Sequence, residues 1–123
     1  MAPKRILVAD DEGDIVELVA YNLEGEGFSV LKAHDGRKAW EMVRMEKPDL
    51  VILDLMMPEL DGFSVLDQLK ARPETAHIPV IVASAKELTP EEKNRLKGQI
   101  QALMQKGDFL NDEFLEEVRA LLK

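Results

Sequence analysis

Short apolar runs alternate with helical patterns along the whole chain. No other feature constrains the fold as much, because such alternation builds strand-helix-strand units around a parallel sheet. Ile6 to Ala9 reads as a first strand. Ile15, Val16, Leu18, Val19 and Leu23 then recur at helical spacing, and Gly25 and Gly27 act as C-terminal breakers. Phe28 to Ala33 is a second strand. Ala39, Trp40 and Val43 mark the buried stripe of a second helix that ends before Pro48. Leu50 to Leu53 is a continuous apolar run, as expected of a strand covered on both faces.

The pattern continues into the second half. Pro58 and Gly62 break the following loop, and Phe63, Val65, Leu66 and Leu69 give a third helix closed before Pro73. Val80 to Ala83 is a fourth strand. Thr89-Pro90-Glu91-Glu92 opens a fourth helix, with threonine as cap, proline in the first turn and Glu92 completing a capping box. Ala102 to Gln105 is a fifth strand. A last helix begins at Asn111 with Phe114, Leu115, Val118, Leu121 and Leu122 inward. Five strands and five helices in alternation predict an α/β fold, a flavodoxin-like doubly wound parallel sheet of order 2-1-3-4-5. At 123 residues this is a single domain spanning 1–123.

Such a sheet gathers its chemistry at the carboxyl ends of the strands. Asp10 and Asp11 follow the first strand, Asp54 the third, Ser84 the fourth and Lys106 the fifth. Each residue alone is ordinary, since an aspartate after a strand is usually a turn or cap residue. Four strand ends carrying suitable types together are far more specific. Clustered carboxylates repel one another and call for a cation. An all-oxygen donor set suits magnesium, and with no cysteine in the chain there is no thiolate for a softer metal. His34 and His77 fall in loop-like positions far from this set in the sequence and read as surface histidines. A carboxylate can be a nucleophile toward phosphorus. Phosphoryl transfer then needs positioning and charge stabilisation, which Asp54, Lys106 and Ser84 are suited to supply.

Charge excludes other classes. The chain carries 24 acidic and 16 basic residues, net −8, a poor surface for nucleic acid on its own. Lys93, Arg95 and Lys97 read as a solvated helix face. After Lys4 and Arg5 only Ile6 to Ala9 precede Asp10, too short for a secretory apolar region. No run approaches the ~20 apolar residues that span a bilayer. The expectation is a cytoplasmic protein with no membrane contact.

The sequence resembles the response regulator receiver family over essentially its whole length. The resemblance is carried by Arg5 to Glu12 with its Asp10-Asp11-Glu12, by Pro48 to Pro58 around Asp54, by Leu60-Asp61-Gly62, by Ile78 to Ala85 with Ser84, and by Lys106. It implies that Asp54 is the phosphoacceptor and that magnesium is held by Asp10, Asp11, Asp54 and the backbone carbonyl of Met56. Ser84 and Lys106 would stabilise the phosphoryl group. The donor would be a phosphohistidine on a sensor histidine kinase or histidine phosphotransfer protein. The chain would be a monomer or weak dimer signalling to a downstream protein, not an enzyme turning over an external substrate. The fourth helix, fifth strand and fifth helix are where the family usually signals. Leu96, Leu103 and Met104 lie there and read as core residues, with a packing surface as the alternative.

Departures from the family pattern define what is particular to this chain. Gly107 stands where the family usually has proline after the lysine. A cis peptide without proline costs ~3 kcal/mol, so none is expected there. Leu103 replaces the usual aromatic switch residue. Met56 and Lys86 occupy two positions that tune dephosphorylation, and neither can orient a water with a carboxylate or amide. The segment from Lys86 to Phe109 looks like receivers of hybrid histidine kinases, and the first half like receivers of winged-helix transcription factors.

Three rivals compete with this reading. A phosphorylation-independent interaction module on the same fold is favoured by Gly107 and Leu103, and opposed by the intact set of strand-end residues. A haloacid-dehalogenase-type phosphatase would need an acid at Met56. A flavodoxin-like flavin binder would need a phosphate cradle where Asp10-Asp11-Glu12 stands.

Overall fold

The fold was obtained as a computed structural model that describes residues 2–85 and 87–122, the Leu110 side chain excepted. Five parallel strands form one sheet: β1 (Arg5–Ala9), β2 (Ser29–Ala33), β3 (Leu50–Asp54), β4 (Val80–Ser84) and β5 (Ala102–Gln105), in the order β2-β1-β3-β4-β5. The helices are α1 (Gly13–Gly25), α2 (Gly36–Glu46), α3 (Gly62–Ala71), α4 (Pro73–Ala76), α5 (Pro90–Leu96) and α6 (Asp112–Leu122). A 3-10 turn, Lys106–Leu110, follows β5.

Side chains alternate across a strand, so each inner strand feeds two cores. Ile6 and Val8 of β1, with Leu50 and Ile52 of β3 and Ile81 of β4, pack against Val16, Val19 and Leu23 of α1 and Phe114 and Val118 of α6. Leu7, Val51, Leu53, Val80 and Val82 point the other way, against Trp40 and Val43 of α2, Phe63, Leu66 and Leu69 of α3, and Leu96 of α5. Each fully buried aliphatic side chain of this kind contributes ~1.5–3 kcal/mol. Two covered faces explain why β1, β3 and β4 are nearly continuous apolar runs.

The structure departs from the sequence expectations in a few places. Six α-helices are described rather than five, because Pro73 starts a short helix instead of merely ending α3. Thr75 fixes that turn by donating its hydroxyl to the Leu69 carbonyl at 2.6 Å. Lys70 adds hydrogen bonds from Nζ to the carbonyls of Ala76 and Ile78, both 3.0 Å. Leu18 is exposed, and Ala20 takes its place on the buried stripe of α1. Leu103 is not core: it is 42% exposed on β5. Leu96 is buried, and Met104 packs half-buried against the α1–α6 side. β5 is one of the two edge strands, and its residues alternate between half-buried, with Ala102 and Met104 packed on the α1–α6 side, and exposed. The Thr89 capping box forms as expected, with Thr89 N–H to Glu92 Oε1 at 2.9 Å and Glu92 N–H to Thr89 Oγ1 at 3.2 Å. His34, His77, Lys93, Arg95 and Lys97 are all exposed.

Two glycines let the β3–α3 loop lie against its surroundings. A Cβ on Gly36 would sit 1.4 Å from the Leu60 carbonyl oxygen, and one on Gly62 would sit 2.4 Å from that of Asp54. Gly62 also donates its N–H to the Leu55 carbonyl at 3.0 Å. The close approach is to backbone, which cannot rotate away. Gly62→Ala is therefore expected to lower stability by about 2 kcal/mol or more, as overpacking does. Gly25→Ala, at the open end of α1, should instead stabilise by about 0.5 kcal/mol. Urea denaturation of the two variants beside the parent measures both signs.

Candidate functional site

The topology brings the chemistry to the carboxyl edge of the sheet. β1 and β3 are neighbours although far apart in sequence, and Ala9 pairs in register with Leu53. The next residues along, Asp10 and Asp54, therefore emerge side by side. Asp10 is 2% exposed and Asp54 1% exposed. Each carboxylate is first oriented by its own loop. Asp10 Oδ1 accepts the Glu12 N–H at 2.8 Å, and Asp54 Oδ1 accepts the Met56 N–H at 3.1 Å. β4 lies next to β3 with Asp54 opposite Ala83, so Ser84, also buried, stands one residue further toward the same edge.

Lys106 enters from the far side of β4, at the start of the 3-10 turn. Its side chain is 12% exposed, and Nζ lies 3.2 Å from Asp10 Oδ1, 3.2 Å from Asp54 Oδ2 and 2.6 Å from Glu12 Oε1. One ammonium thus serves three carboxylates. Burial alone would lower the lysine, but its hydrogen bonds to Glu12 and Asp10 and the charges of Asp54 and Asp10 prevail, holding it above the usual range. Burial pushes the Asp54 carboxyl up to about 6; the Met56 N–H opposes this, the Asp10 charge adds to it, and Lys106 opposes it. Asp10 is likewise raised by burial, against the Glu12 N–H and Lys106.

The cation is not enough for every oxygen. Among the described residues, Asp10 Oδ2 and Asp54 Oδ2 are buried with no hydrogen-bond donor, although Asp54 Oδ2 is in ion-pair range of Lys106. Carboxylate oxygens of Asp10, Asp11 and Glu12 also lie within 4.8 Å of one another. Two orphaned buried oxygens beside an oxygen-only donor cluster fit a hard divalent cation such as Mg2+.

The expected residues divide into three groups. Asp10, Asp54 and Lys106 are in direct contact, and Asp11 joins the donor cluster from the exposed side. Ser84 and Met56 stand beside them on β4 and in the loop after β3. Leu103 and Gly107 are exposed on β5 and the turn; Gly107 has open space around it, and no described peptide bond is cis. Lys86 lies outside the described residues. Glu12, which reads in the sequence only as part of the Asp10-Asp11-Glu12 run, is the addition to the site. Its signal was present, as the third acid in a row after the first strand, but nothing in the spacing tied it to Lys106.

The raised Asp54 sets a sign for stability against pH. Its folded value of about 6 lies above its ordinary 3.8, so between the two the folded state binds more protons than the unfolded. Stability therefore falls as pH rises from 4 to 6, and above that range the charged carboxylate is a standing cost. Without divalent cation, Asp54→Asn should be more stable than the parent at pH 7.5 by about 1–3 kcal/mol. The gain should vanish near pH 4. Chemical denaturation at the two pH values, in EDTA, measures this.

Comparison with known proteins agrees with the fold. A sequence profile described as the response regulator receiver domain matches residues 6–119. The chain is 44% identical over 95 residues to the alkaline phosphatase synthesis transcriptional regulatory protein PhoP of Bacillus subtilis, covering 77% of this chain and 38% of that protein. It spans about two fifths to half the length of the curated relatives it matches. The receiver domain of the Francisella response regulator 1452 superimposes with a TM-score of 0.84 at 31% identity, covering 96% of this chain and 95% of that one. The receiver domain of a signal transduction histidine kinase from Syntrophus aciditrophicus gives a TM-score of 0.84 at 30% identity, covering 97% and 89%. A five-stranded 2-1-3-4-5 sheet with its acids at the switch point, matched along nearly its whole length, belongs to the response regulator receiver family of two-component signalling.

Proposed function

We propose that this chain accepts a phosphoryl group on Asp54 from a phosphohistidine, in a Mg2+-dependent reaction, and signals through a change of its surface. The observation that carries this reading is the buried Asp54 carboxylate, oriented by the Met56 N–H and set beside Asp10 and the Lys106 ammonium. Asp10, Asp11, Asp54 and the Met56 carbonyl would hold the metal. Bound there, Mg2+ supplies positive charge to the phosphoryl oxygens.

The chain's own residues account for the rest of the chemistry. A carboxylate oxygen of Asp54 forms the new bond to phosphorus. The phosphorus–nitrogen bond of the donor breaks, and the imidazole leaves with the electron pair and takes a proton from solvent. The Met56 N–H holds the other carboxylate oxygen, so attack has a defined direction. Lys106 is already 3.2 Å from Asp54 and neutralises charge as the phosphoryl group arrives. The Ser84 hydroxyl, one strand away at the same edge, donates to a phosphoryl oxygen.

This reading makes 1–123 a single receiver domain, partnered by a sensor histidine kinase or histidine phosphotransfer protein and by a downstream protein. It has no direct nucleic acid contact, acts in the cytoplasm as a monomer or weak dimer, and turns over no external substrate. Among the described residues no helix is long and apolar enough to cross a membrane. Gly107 and Leu103 would alter how the lysine loop and β5 respond. Both are exposed, which leaves the buried set around Asp54 intact and favours phosphorylation over the phosphorylation-independent module.

Incubation with acetyl phosphate and Mg2+ should add one phosphate, about 80 Da by intact mass, as an aspartyl phosphate requires. The gain should be absent with EDTA and in Asp54→Asn. A parent that binds Mg2+ but gains no mass from either acetyl phosphate or a phosphohistidine donor would favour the interaction module.

Met56 and Lys86 bring no carboxylate or amide to orient an attacking water. The phosphorylated form should accordingly persist for minutes to hours. Following the loss of the added mass after donor removal tests this, and a lifetime of a few seconds without phosphatase would contradict it.

A further inference from the structure

Glu12 is the acid closest to Lys106. Its Oε1 lies 2.6 Å from Nζ, against 3.2 Å for both Asp10 and Asp54. Unlike those two, Glu12 is largely exposed, with 56% of its side chain in solvent. Lys106 is thus shared between an inner pair of buried carboxylates and an outer, solvated one. The same short segment ties both ends together, because the Glu12 N–H donates to Asp10 Oδ1, the oxygen that Lys106 also contacts.

This arrangement has a consequence for any phosphoryl group on Asp54. An ammonium has three donors. One is held at 2.6 Å by Glu12, on the first-strand side, while Asp54, which would carry the phosphoryl group, lies at 3.2 Å on the third strand. Any movement of Lys106 toward a phosphoryl group on Asp54 would stretch that outer contact. Gly107, next to Lys106 within the same turn, carries no side chain and has nothing within 4 Å of where a Cβ would sit, so no side-chain packing at that position holds the lysine in place.

We propose that Glu12 is a positioning residue that tethers Lys106 toward Asp10 and thereby tunes how strongly Lys106 engages a phosphoryl group on Asp54. The inference rests on the phosphoacceptor reading above. The proposed role of Glu12 runs through Lys106, whatever its carboxylate adds to the neighbouring donor cluster. An exposed ion pair is weak, so the effect is a tuning of a few fold rather than a switch.

The test uses trifluoroberyllate, a phosphoryl mimic, with the full chain at saturating Mg2+. Glu12→Gln should bind it about three- to fivefold more tightly than the parent, the scale of an exposed ion pair. Glu17→Gln removes an equal charge from an exposed acid that pairs with Lys32 instead, and should leave the affinity unchanged. In a Lys106→Met background, Glu12→Gln should have no further effect, since the cycle isolates the coupling between the two side chains. A second readout needs no metal. The Lys106 ammonium resonance, seen by nitrogen-detected NMR in EDTA, should shift in Glu12→Gln and not in Glu17→Gln.

Weaker trifluoroberyllate binding in Glu12→Gln, or an effect that persists without Lys106, would overturn the tether and mark Glu12 as a metal-side group. Equal effects of Glu12→Gln and Glu17→Gln would reduce it to general surface charge and overturn it too. A parent that binds neither Mg2+ nor trifluoroberyllate would bring down the phosphoacceptor reading itself, and the tether with it.

Discussion

Two buried carboxylates on neighbouring strands must share one ammonium, and the functional end of the molecule is organised around that constraint. Asp10 and Asp54 cannot both be ionised in a dry environment without compensation. Lys106 provides it from the turn after β5, on the far side of β4, with Nζ 3.2 Å from each. The contact therefore spans 96 residues of sequence between Asp10 and Lys106. It is a site that exists only when the sheet is assembled in this strand order.

Compensation is incomplete, since Asp10 Oδ2 and Asp54 Oδ2 are buried without a hydrogen-bond donor among the described residues. A carboxylate held up to about 6 by burial is poised to gain from any added positive charge. The orphaned oxygens of Asp10 and Asp54 are the places where such charge would be felt most. Protein folding has left the site with more negative charge than one lysine can balance, a cost at rest that a bound cation would relieve. Burial fraction, backbone orientation by the Met56 and Glu12 amides, and the position of Lys106 all act on that one imbalance.

The alternation of apolar runs made the sheet readable from sequence, because β1, β3 and β4 are buried on both faces and cannot tolerate polar interruptions. β5 began where the pattern placed it, at Ala102, yet Leu103 on it proved exposed. On β5 only the face of Ala102 and Met104 is covered, and a leucine on the open face obeys no burial rule that periodicity can reveal. The short α4 was hidden for a different reason: Pro73 serves equally as the end of one helix and the first turn of the next. At the site, strand-end position singled out Asp10, Asp54, Ser84 and Lys106, whose backbones the topology fixes. Glu12 depends on where a long, exposed side chain reaches, and spacing carries no record of that.

The central claim is that Asp54, among several acids within a few ångströms, is the one that takes the phosphoryl group. Phosphorylation by a phosphohistidine protein in Mg2+, followed by borohydride reduction and peptide mapping, addresses it directly, because reduction converts an acyl phosphate to an alcohol at the residue that carried it. The account predicts homoserine at position 54 and unmodified aspartate at positions 10 and 11. Reduction at either of those positions, or at none despite a working donor, would contradict it.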